Sequence, residues 1–129
     1  MSNSQNNLTL SLVQQDVSAV SVLNRTIGPI QYAGLVGQHI EGLVVGAAPV
    51  AVTLPTTNVL QVVVKNTHAT LKLTVTWTPQ GGASAIVAVL EPGGIVVLWN
   101  PATSATAGIT ALTLTGSGAG VTVELFLGG

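Results

Sequence analysis

The chain has 129 residues, of which 47% are hydrophobic and only 5% charged, with a formal net charge of −1 and no cysteine. Its length predicts one domain with a real core, and its apolar content excludes a disordered chain. Three scattered cations exclude a nucleic-acid footprint, and the lack of cysteine excludes disulfides and thiolate sites.

Residues 1–7 are polar and are expected to form a mobile N-terminal arm, ahead of a single β-sandwich domain over 8–129. The arm has no basic segment before an apolar run, so a secretory signal is not expected. Leu8, Leu10 and Leu12 alternate with Thr9 and Ser11, the period-two mark of a half-buried strand. A turn is expected at 14–16 and a second strand at Val17–Leu23. From Thr26 to Ala48 glycines and Pro29 break the rhythm, which predicts mostly loop with a short strand at Ile40–Val45. Val50–Leu54 reads as another short strand, stopped by Pro55. The near-apolar run Leu43–Leu54 falls short of the roughly 20 residues a spanning helix needs. Aromatic residues, at 3%, do not supply the girdles of a membrane barrel. No membrane partner is expected.

The stretch from Asn58 to Asn100 is strand-and-turn grammar throughout. Leu71, Leu73, Val75 and Trp77 alternate with Thr70, Lys72, Thr74 and Thr76, as in a strand with one wet face. Ala85–Leu90 and Ile95–Trp99 are instead apolar on both faces. Between them Pro92 and Gly93 suit the central positions of a type II turn. Asn100–Gly108 reads as a small-residue loop, and Ile109–Thr115 with Val121–Leu127 as a terminal hairpin across Gly116–Gly120. The total is an all-β chain of eight to ten short antiparallel strands, a sandwich of jelly-roll type.

In a two-layer sandwich each strand keeps one face in water, so the doubly apolar strands require cover. Covering one Val, Leu or Ile is worth about 1.5–3 kcal/mol, and exposed patches of that kind mark protein–protein surfaces. The candidate assembly interface is therefore Ile86, Val87, Val89, Leu90, Val96 and Leu98, with Trp77 and Trp99 at the strand ends. Loops folding back, such as 26–48, are the intramolecular alternative. For each tryptophan a cap on the core is the first reading, an interface anchor the second and a sugar platform the last.

Little in the chain speaks for chemistry. His39 and His68 lie 29 positions apart with no carboxylate expected at ligand spacing, and both read as structural. Asp16, Glu41, Glu91 and Glu124 are dispersed, and no Gly-x-Ser-x-Gly elbow is present. The glycine-rich Gly116–Gly120 has no helix behind it to hold a phosphate. No catalytic residue, cofactor or metal is expected.

The stretches Val62–Trp77 and Leu90–Trp99, together with the ending Gly108–Thr115 and Val123–Gly129, resemble small virion proteins of tailed bacteriophages. The likeness covers roughly residues 58–129 and rests on strand rhythm, on Asn-Thr and Pro-Gly turns and on low charge. It implies a sandwich or jelly-roll module that decorates or cements a capsid, with itself and a major capsid or other virion protein as partners. The expected location is then the virion, assembled in the host cytoplasm. A receptor- or glycan-binding module of a tail or fibre, using Trp77, Trp99 and the 100–108 loop, is the alternative.

Overall fold

The computed structural model describes residues 6–15, 21–32, 37–57, 59–81, 84–100 and 108–129. Ten strands run in chain order: β1 (Asn6–Gln15), β2 (Ser21–Tyr32), β3 (Gly37–Val45), β4 (Val50–Ala51), β5 (Gln61–Asn66), β6 (Leu73–Pro79), β7 (Ile86–Leu90), β8 (Ile95–Trp99), β9 (Ile109–Gly116) and β10 (Val121–Gly128). No helix occurs among the described residues, so the all-β sandwich expectation holds.

β1 and β2 form a hairpin, while the other eight strands make two four-stranded antiparallel sheets, β3-β10-β5-β8 and β4-β9-β6-β7. Pairing is nested: β6 with β7, β5 with β8, β4 with β9, and β3 with β10. Every one of these long connections therefore folds back on the one inside it.

Alternation explains how the sheets share a core. Val121, Val123, Leu125 and Leu127 of β10 point inward, while Thr122, Glu124 and Phe126 point outward. Val62 and Val64 of β5 join them from the same sheet. Leu73 and Val75 of β6, Leu90 of β7, and Leu112 and Leu114 of β9 close the core from the opposite sheet. Each of these side chains contributes about 1.5–3 kcal/mol by leaving water.

Two expectations are corrected. β9 and β10 do not pair as a hairpin, because they lie in different sheets. Both strands aim alternate apolar residues at one core from opposite sides, and the connection between them turns the corner. A Cβ at Gly116 would stand 2.7 Å from Val121 Cγ2, and Gly120 takes a positive φ of 82°. The second correction concerns 26–48, which is mostly strand. Proline and glycine are accommodated there as bulges: Leu8 faces Ile30 and Leu10 faces Ile27, so Gly28 and Pro29 together oppose Thr9. β2 pairs with β1 alone among the described strands, and an edge strand tolerates proline. In β3, Glu41 and Gly42 likewise oppose Glu124, with Gly42 at φ 70°.

Polar groups buried in the sandwich act as staples. Asn66 is fully buried; its Nδ2 donates to the carbonyls of Leu71 (2.8 Å) and Leu90 (3.1 Å), and its Oδ1 accepts from the His68 amide (3.0 Å). His68 Nδ1 in turn accepts the amides of Thr70 and Leu71, which puts the ring proton on Nε2. Gly93 has φ 83° and the Gly94 amide donates to the Glu91 carbonyl, as a type II turn requires.

Candidate functional site

β7 and β8 are the last strands of their respective sheets, and the Glu91–Gly94 turn joins them across one side of the sandwich. That side is open and apolar. Ile86 is 46% exposed, Val87 and Val89 are each 59% exposed, and Ile95 is 53% exposed. The β7 strand, Ile-Val-Ala-Val-Leu, carries no charge, proline or bulge. Edge strands that must stay alone are usually blunted by those features, and β7 has none of them.

Register extends the apolar strip into a face. Val87 pairs with Thr76 and Val89 with Thr74, and those threonines pair in turn with Thr113 and Thr115 of β9. All six residues are β-branched and uncharged, and their side chains have little rotamer freedom to lose on contact. The threonines are half-buried and supply methyl groups as well as hydroxyls. The Lys72–Glu91 ion pair, at 2.9 Å, lies at the end of this strip and is well exposed on both sides.

The eight residues anticipated from the sequence fall into three groups. Ile86, Val87 and Val89 lie on the open edge. Leu90 is in the core, and Val96, Leu98 and Trp77 pack against it. On β8 it is Ile95, Val97 and Trp99 that face outward, since their partners Lys65, Val63 and Gln61 lie on the outer side of β5. The two-sided sequence of β8 could not reveal this parity. Trp99 stacks on Phe126, with ring centroids 5.9 Å apart and an interplanar angle of 27°.

The start of β1 lies over this aromatic pair. Asn6 Nδ2 donates to Gln61 Oε1 at 2.7 Å, and Asn7 and Leu8 line a cleft of about 180 Å³ with Val63, Trp99 and Phe126. Gly128 makes the approach possible, because a Cβ there would stand 2.8 Å from Asn6 Nδ2. The Nε2 of Gln61 and the Nε1 of its cross-strand partner Trp99 are buried without an acceptor among the described residues. Of the expected arm, residues 1–5 lie outside the described residues, while Asn6 and Asn7 belong to β1. Further along the hairpin, consecutive residues Leu12 and Val13 point to opposite faces and are 47% and 56% exposed. Most of the 100–108 loop also lies outside the described residues.

Sequence reasoning missed one cluster. His39 and Glu41 stand two apart on β3, and in a strand that spacing puts both on one face. Glu124, on the adjacent strand, completes the group: His39 Nε2 is 3.4 Å from Glu124 Oε1 and 4.0 Å from Glu41 Oε1. The reading that no carboxylate lies at ligand spacing from either histidine is therefore corrected.

No family model, curated protein or solved structure matches this chain.

Proposed function

We propose that the chain is a non-enzymatic structural protein of a virion, a capsid decoration or cement module that acts by self-association and by docking on a capsid protein. The observation that carries this reading is the undefended β7 edge, continuous with the Val87/Val89/threonine face. A freely soluble monomer has reason to charge such an edge. An adhesive module leaves it bare, so that strand addition and apolar contact act together. The nested pairing of β3 to β10 also fits a jelly roll, an architecture used by viral capsid domains.

The decisive test is sedimentation at micromolar concentration, beside a copy-number measurement on purified particles. Oligomers that Val87→Lys and Val89→Lys reduce to monomers, with many copies per particle, support the reading. A wild-type monomer, and particles without the protein, overturn it.

One observation favours a second reading, a receptor- or glycan-binding module of a tail or fibre. The Trp99–Phe126 cleft offers an aromatic wall, suited to stacking on a sugar ring. A blank glycan array, or host adsorption unchanged by Trp99→Ala, counts against it.

A further inference from the structure

We infer that His39, Glu41 and Glu124 form a binding site for one divalent transition-metal ion of the zinc class, on the outer face where β3 meets β10. The argument begins with how few charges the chain has. Four acids and two histidines are spread over 129 residues, yet two of those acids and one histidine converge here. Their ligand atoms all lie within 4.8 Å of one another.

Alternation and register cause the convergence. His39 and Glu41 share one face of β3, and Glu41 with Gly42 opposes Glu124, so the second carboxylate lies beside the first across the ladder. Like charges set opposite each other destabilise a sheet. A cation was available to relieve them, since Lys65 of β5 is the register partner of Glu124 on its other side. Glu124 nevertheless makes no ion pair with it among the described residues and is directed to the imidazole and the second carboxylate instead.

His39 and Glu124 form a long hydrogen bond whose length also suits a pair of metal ligands. A charge-assisted N–H···O bond closes to about 2.7–2.9 Å, shorter than the 3.4 Å found between His39 Nε2 and Glu124 Oε1. Two donors each about 2.1 Å from a tetrahedral zinc ion stand roughly 3.4 Å apart. The His39–Glu124 separation thus already equals an edge of the coordination tetrahedron. Glu41 Oε1, at 4.0 Å from the imidazole, must close by a small rotation, and its side chain is 72% exposed and free to make it. One imidazole and two carboxylates leave the remaining coordination to water. The imidazole favours zinc-like ions over magnesium, which prefers an all-oxygen shell. His68 is not a competitor, because it belongs to no group of three potential ligands among the described residues.

The test is a titration of the full chain with zinc chloride, followed by calorimetry and by the imidazole NMR signals. We expect one saturable site per chain, with the His39 signals moving and those of His68 unchanged. His39→Gln and Glu124→Gln should each weaken binding about tenfold or more, at least the loss that follows removal of an outer-shell partner. Glu41→Gln, at the most exposed position of the three, serves as a second variant should either of the others lower the melting temperature without metal. Zinc should raise the melting temperature of the wild type, and a chelator should restore it. No saturable binding up to millimolar zinc, binding unaffected by His39→Gln, or equal affinity for magnesium chloride would each overturn the inference. Binding is read on a single chain, so the result stands apart from whether the protein assembles.

Discussion

At the scale of single residues, Asn66 does more than any charged group to fix the sandwich. Its amide ties the 66–71 loop to the β7–β8 turn, and its backbone exchanges hydrogen bonds with Gly93 and Gly94. Replacing it with alanine strands the buried Leu90 carbonyl and the part-buried Leu71 carbonyl, so Asn66→Ala should lower the unfolding free energy by on the order of 3 kcal/mol in urea titration. Gly93→Ala should cost about 1 kcal/mol through its positive φ. Gly94→Ala should cost more, since the added Cβ would stand 2.9 Å from the Glu91 carbonyl oxygen. The turn chemistry was legible in the sequence because Pro-Gly states its own geometry. Asn66 was not, because an asparagine beside a loop looks the same whether it is exposed or sealed in the core.

At the scale of elements, strands with one wet face could be read directly, and strands whose two faces are equally apolar could not. β6 and β10 show their parity in the alternation of threonine with leucine and valine. β8 has no such contrast, so its inward pair, Val96 and Leu98, could not be told from its outward residues Ile95, Val97 and Trp99. The bulge at Gly28 and Pro29 hid most of β2, since a bulge shifts the period-two pattern by one residue, whereas Ile40–Val45 of β3 was legible as a strand. The His39–Glu41–Glu124 cluster was hidden because its third member comes from a strand far along the chain, brought beside the other two only by the β3–β10 pairing. The β1–β2 hairpin has only two strands and exposed apolar residues on both faces, and such a ribbon is marginal alone in water. Its amides should therefore exchange with solvent well before those of β5, β9 and β10 in dilute protein. In assembled material they should gain protection, as hydrogen exchange with mass spectrometry can measure.

At the scale of the whole molecule, sparse charge sets how the protein responds to solvent. Association through an uncharged valine and threonine face has little Coulomb energy to screen. Sedimentation should thus change little between low and high sodium chloride, whereas sulfate should strengthen association and urea should weaken it. A steep loss of oligomer with rising sodium chloride would point to a charged interface instead. Nested pairing also bears on time. β10 lies in the interior of its sheet, between β3 and β5, and supplies four core side chains. During synthesis β3, and the β10-facing side of β5, must wait for a strand that is made long after them, and pairing of this long-range kind is slow. The two sheets close over one core only when that strand arrives, so the proposed adhesion through the β7–β8 edge waits for β10.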